Sequence, residues 1–133
     1  MTLYGEPRTK KNSSRILSGR AGRPYVAPSK AFVDYEESCL WQIKKPHGPI
    51  SARVNVRCVY YMKTSRRVDL VNLLEATCDI LVKAGVLEDD HCRIVAGHDG
   101  SRVEYDKENP RAEIWIEEME KADYAERRTN DRP

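Results

Sequence analysis

No apolar run in the sequence approaches the ~18 residues that a membrane span requires, so a transmembrane helix is excluded. The first residues lack the apolar segment that marks a secretion signal, and the expected location is cytoplasmic. Cys39, Cys58, Cys78 and Cys92 are widely spaced and form no CxxC pair. In an unsignalled chain they are expected as buried or free thiols rather than disulfides. The histidines show no metal-binding spacing either, which argues against zinc. Internal repeats and a second domain boundary are also missing. What is left is a chain of 133 residues, 33% charged and 40% hydrophobic, the make-up of one globular domain with a modest core.

The net charge of +2 says little, but the placement of the charge says more. Within residues 1–30, Arg8, Lys10, Lys11, Arg15, Arg20, Arg23 and Lys30 stand against Glu6 alone. Such a segment suits a polyanion such as nucleic acid; the plainer alternative is a solvated arm with no partner. Residues 2–6 suggest a short strand ended by Pro7. Residues 8–28 are rich in Gly, Ser, Pro and Arg, with Gly19 and Gly22 as turn points. They read either as a long basic loop or as short strands at 14–17 and 25–27.

Ser29 is placed to cap a first helix whose apolar stripe is Phe32, Tyr35, Cys39, Leu40 and Ile43, ended by Pro46 and Gly48. Trp41 falls off that stripe. Residues 53–62 alternate, with Val54, Val56, Cys58 and Tyr60 on one side, and predict a strand. Residues 92–97 predict another, 97–110 a connection or hairpin, and 112–119 a last strand. His98, Asp99 and Ser101 contain the residue types of a catalytic triad, but sequence neighbours rarely assemble one and Gly100 marks a turn. The expected domain spans 1–119, followed by a charged tail at 120–133. The fold class is α/β (α+β): a single small domain, a mixed sheet with two main helices packed on it.

The second helix organises the rest. In residues 66–90, Leu70, Leu73, Leu74, Thr77, Ile80, Leu81 and Ala84 fall on one helical face. Asp69, Asn72, Asp79 and Lys83 fall opposite, with Glu75 at the edge, and Gly85 stops the helix. Asp89 and Asp90 follow directly. Asp69 at the helix start and this acidic pair on a returning segment would together make a carboxylate pocket of the kind Mg²⁺ prefers. Each acid also has an ordinary role available: Asp69 as a helix cap, Asp89 and Asp90 as turn residues, Glu75 and Asp79 as a solvated pair.

This segment resembles the core of the RusA family of phage-type Holliday junction resolvases. That core reads Asp-x-Asp-Asn-Leu, then a Lys, an Asp further along, a Gly stop and an Asp-Asp pair. Here it reads Asp69-Leu70-Val71-Asn72-Leu73, then Glu75, Asp79, Gly85 and Asp89-Asp90, without a gap from Asp69 to Asp90. The run from Pro7 to Ser13 and Gly22-Arg23-Pro24-Tyr25 are similar to the family's N-terminal loop. The resemblance implies a homodimeric endodeoxyribonuclease that cuts branched DNA with Mg²⁺, for which Mn²⁺ could substitute. It implies no membrane and no small-molecule cofactor, and a host-cell cytoplasmic location for a phage-encoded chain. It carries the metal-ligand role to Asp69 and Asp90, and a supporting role to Asn72 and Asp79.

Two positions depart from the family pattern: Val71 stands where the second Asp belongs, and Glu75 where the Lys belongs. One reading is that Glu75 restores the lost carboxylate, so that Asp69, Asp90 and Glu75 are catalytic and hold the ion with Asp79 beside them. The alternatives are an inactive DNA-binding or accessory module on the same scaffold, or a general metal-dependent nuclease. Lys10, Lys11, Arg15, Arg20, Arg23 and Lys30 are the expected contacts to the DNA backbone. Arg66 and Arg67 either grip a phosphate or pair with the neighbouring acids.

Overall fold

A computed structural model describes residues 1–10 and 15–121. In chain order the elements are β1 (Thr2–Tyr4), β2 (Arg15–Ser18), β3 (Pro24–Ala27), α1 (Lys30–Gln42), β4 (Val54–Met62), α2 (Leu70–Lys83), β5 (Val95–Gly97), β6 (Arg102–Tyr105) and β7 (Arg111–Glu118). Five strands form one mixed sheet in the order β1-β7-β4-β5, with β6 also pairing β4; β2 and β3 make a separate hairpin. The domain is therefore a single mixed sheet with two helices, as the sequence predicts. Among the described residues no helix is long and apolar enough to cross a membrane.

β4 is central because its sequence suits burial on both faces. Val54, Val56, Cys58 and Tyr60 are fully buried on the face toward the helices, where they join Leu3, Ala112 and Ile114. The opposite face reads less polar than simple alternation suggests, since Val59 is also buried. Two cation–π pairs flank it: Arg57 lies 4.0 Å over the Trp115 ring, and Arg111 lies 3.8 Å over Tyr61. Both pairs join β4 to its antiparallel neighbour β7 across the register Arg57↔Trp115 and Tyr61↔Arg111.

On its other edge β4 is met in parallel by β5 at Val54–Asn55 and by β6 at Val59–Met62. The residues between β5 and β6 complete the ladder with side chains. His98 Nδ1 lies 2.8 Å from the Val56 carbonyl, and the Cys58 N–H donates to Ser101 Oγ at 3.0 Å. The Asn55 side chain donates to the Asp99 carbonyl at 3.1 Å and accepts from the Asp99 N–H at 2.8 Å. His98, Asp99 and Ser101 are thus committed to holding strands, and Gly100 turns the chain with φ of +83°. β5 is also shorter than the strand expected over 92–97. The His91 carbonyl accepts from the N–H groups of both Ile94 and Val95, which winds that stretch into a turn first.

α1 starts where Ser29 Oγ accepts from the Phe32 N–H at 3.2 Å, and it buries Phe32, Tyr35 and Cys39. Its last residue, Gln42, exchanges two hydrogen bonds with the backbone of Tyr4 and so closes part of the free edge of β1. Trp41 is exposed. α2 buries Leu73, Leu74, Thr77, Ile80 and Leu81 as expected, and also Ala76 and Cys78, because it is packed on more than one side. Thr77 Oγ1 donates to the Leu73 carbonyl and lies 2.6 Å from the Tyr60 hydroxyl, which satisfies both polar groups within the core.

Gly85 ends α2 with φ of +77°. The Gly85 N–H bonds to the Val82 carbonyl, and the Val86 N–H to that of Leu81, the paired closure of a Schellman stop. The chain then returns beside Ile50, which exchanges backbone bonds with Val86 and Glu88. Cys39, Cys58 and Cys78 are buried free thiols, pushed up to about 11, 11 and 12 by burial, and Cys92 is exposed.

Candidate functional site

The acids of interest are distributed along α2 and the segment that returns from it. Asp69 is the N-cap of α2: its carboxylate accepts from the Val71 N–H at 2.9 Å, in an exposed position. Val71 projects into solvent, 68% exposed. Glu75 is exposed one turn before Asp79. Asp79 is half-buried and takes the ammonium of Lys10 at 2.9 Å. That bond, with the charges of Glu36 and Glu75 added, raises the Lys10 pKa above its ordinary value.

The return past Ile50 places Asp89 and Asp90 against the second half of α2. The Asp90 N–H donates to Asp89 Oδ1 at 2.7 Å. Burial, the hydrogen bond with Asp89 and the negative charge of Asp79 together raise the Asp90 carboxyl above the usual carboxylate range. Lys10, Glu36, Asp79, Lys83, Asp89 and Asp90 line one pocket of about 390 Å³. Lys83 is itself held by Glu36 at 2.7 Å. Four carboxylates and two ammonium groups therefore share this space, and the cations are already bonded to acids.

The structure thus brings Asp79 and Asp90 together and sets Asp69 apart. Ten residues of helix separate Asp69 from Asp79, about 15 Å along the axis. Asp69 and Glu75 are also separated, by about 9 Å of rise and roughly 120° of rotation. Among the described residues, no three His, Cys, Asp or Glu side chains are grouped so as to hold a metal ion. A hard divalent cation needs several converging oxygens. The described acids would supply at most two of them at one point, with water or phosphate oxygens completing the shell.

The described basic residues lie in four places. Arg20 and Arg23 are exposed at the turn of the β2–β3 hairpin, which forms where the sequence allowed either a loop or strands. Lys30 is exposed at the start of α1. Arg66 and Arg67 are exposed on the approach to α2, where with Arg8 and Lys63 they line a cleft of about 510 Å³. Among the described residues, Lys10 is the one cation expected to contact DNA that sits inside the acidic pocket. Lys11 and the side chain of Arg15 lie outside the described residues, as does the tail from residue 122. Nothing in the sequence singles out Glu36, since its place in the pocket depends on α1 lying against α2.

The family model for endodeoxyribonuclease RusA matches residues 5–117, from the end of β1 to the end of β7. No curated protein matches the chain. The matched span contains α2, its capping Asp69, the return to Asp89 and Asp90, and the basic hairpin. The chain belongs to the RusA endodeoxyribonuclease family.

Proposed function

We propose that this protein is an endodeoxyribonuclease that hydrolyses phosphodiester bonds in branched DNA such as four-way junctions. The observation that carries this reading is the family match across residues 5–117, a span that includes Asp69 and Asp90. The exposed Arg20, Arg23, Arg66 and Arg67 are suited to hold the DNA backbone, which fixes the strand without reading its sequence. Asp79, Asp89 and Asp90 form the acidic end of the site. A homodimer would present two equivalent sites, as symmetric incision of a junction requires.

The family is typically metal-dependent, and a bound Mg²⁺ or Mn²⁺ would supply charge neutralisation and an activated water. No three of the described acids are grouped to hold the ion by themselves, so the DNA phosphate would have to contribute oxygens to its shell. A second reading follows from particular residues: Asp69 is occupied in capping α2, and an exposed Val71 stands where the motif it resembles has a carboxylate. These favour a module that binds branched DNA without cutting it.

Turnover of a labelled four-way junction with Mg²⁺, and then with a chelator, separates the two. The nuclease reading predicts cutting that the chelator removes and that Asp90→Asn reduces by at least about a hundredfold, with DNA affinity retained. Equal cutting by wild type and Asp90→Asn would remove Asp90 from the chemistry. Binding without any cutting would establish the second reading.

A further inference from the structure

The hairpin of β2 and β3 stands apart from the five-stranded sheet. Along β3, Pro24, Tyr25 and Val26 are all exposed, Tyr25 by 49% and Val26 by 72%. Neighbours in a strand point to opposite faces, so β3 shows apolar side chains to solvent on both faces of the ribbon. A two-stranded hairpin is marginal in water by itself, and an uncovered Tyr and Val add no burial to hold it. Such a ribbon is stabilised when another apolar surface covers it.

The charge of the ribbon narrows what that surface belongs to. Residues 15–28 contain Arg15, Arg20 and Arg23 and no acid. Arg20 and Arg23 are exposed at the turn, and neither is bonded to a carboxylate among the described residues. An open aromatic ring beside guanidinium groups matches a ligand whose flat π-face lies next to an anion, and a nucleotide has both. The ring is also held in place. It lies against Gly19, where an added Cβ would come within 3.1 Å of Tyr25 Cδ1. The Gly19 N–H donates to the Arg23 carbonyl at 2.6 Å and closes the turn beneath it. A ring already positioned by the backbone loses little freedom when it stacks.

We infer that Tyr25 stacks on a base face uncovered at the branch point of the DNA. The inference rests on the DNA reading given above and adds the group that tells a branch from an arm. In a linear duplex each base face is covered by the next pair, and reaching one costs the energy of unstacking it. The pairs that border a branch lose a stacking neighbour where the arms separate, so the face is already open. Arg20 and Arg23 meet phosphates, which every duplex offers alike, whereas the Tyr25 ring needs an uncovered base. Tyr25 lines neither the basic cleft nor the acidic pocket, so it acts on the choice of substrate and not on the chemistry.

The test uses a four-way junction with 2-aminopurine at a base bordering the branch, beside a linear duplex carrying the same probe in the same sequence. Affinity and probe emission are measured with a chelator present, so that the strands stay intact. Tyr25→Phe keeps the ring and is expected to bind the junction within about twofold of wild type. Tyr25→Ala and Tyr25→Leu are each expected to bind it roughly tenfold more weakly and to lose the change in emission that wild type causes. Their duplex affinity and salt slope should stay at the wild-type values, because no cation is removed. Tyr25→Leu retains apolar bulk in the hairpin, so wild-type junction affinity in that variant would assign Tyr25 to holding the hairpin and overturn the stack. An equal loss on junction and duplex would overturn it too. Salt-dependent binding of wild type with no response from the probe would remove the stack and leave the DNA reading standing. No binding of wild type to either DNA would overturn both.

Discussion

At the scale of single residues, the acids of α2 illustrate how position along a helix decides partnership. Asp69 meets backbone, Asp79 meets Lys10, and Asp90 meets Asp89 and Asp79, although all three are carboxylates within one short stretch of sequence. Glu75 is the informative case. The sequence suggests that it replaces the carboxylate missing at Val71, but six residues of helix turn it roughly 120° from Asp69 and about 9 Å along the axis. Its charge is felt instead by Lys10. Glu75→Ala is therefore expected to leave the rate of junction cutting within about threefold of wild type, since that carboxylate does not converge with Asp69. A fall of about a hundredfold under single-turnover conditions would return Glu75 to the chemistry and require the helix start to rearrange on DNA binding.

At the scale of elements, both helices and the central strand are legible in the sequence because their apolar positions repeat with the period of the structure they form. Leu73, Leu74, Ile80 and Leu81 mark one face of α2, and Val54, Val56, Cys58 and Tyr60 one face of β4. The caps Ser29 and Asp69 and the stop at Gly85 are equally local signals. The edge formed by β5 and β6 is legible only in part: a strand is expected over 92–97, where β5 forms, but β6 falls in what reads as a connection or hairpin. Its ladder is completed by side chains of His98, Asn55 and Ser101, and no sequence period reports a hydrogen bond between residues so far apart in the chain. A small change there should carry a measurable cost. Ser101→Ala leaves the Cys58 N–H without its acceptor and is expected to destabilise the fold by about 1–3 kcal/mol in urea unfolding. Hydrogen exchange at Cys58 should quicken. An unaltered midpoint and exchange rate would mean that the edge is held by the β6 ladder alone.

At the scale of the whole molecule, one face of the sheet carries both helices, and these position two surfaces of opposite character. The basic cleft lies at the start of α1 and α2, and the acidic pocket lies along the later part of α2. Most individual residues of both surfaces are visible in the sequence, but their grouping is not. It depends on where the chain returns after Gly85, which is set by the pairing of Ile50 with Val86 and Glu88. Among the described residues no three acids are grouped to hold a metal ion, and the proposal that the chain cuts branched DNA stands or falls on one experiment. Products from a four-way junction and from a linear duplex of the same arms would be mapped with Mg²⁺ present, each strand labelled in turn. Paired nicks at symmetry-related positions in the junction, beside an uncut duplex, are the expected result. Tight binding of the junction with every strand intact would contradict the nuclease reading.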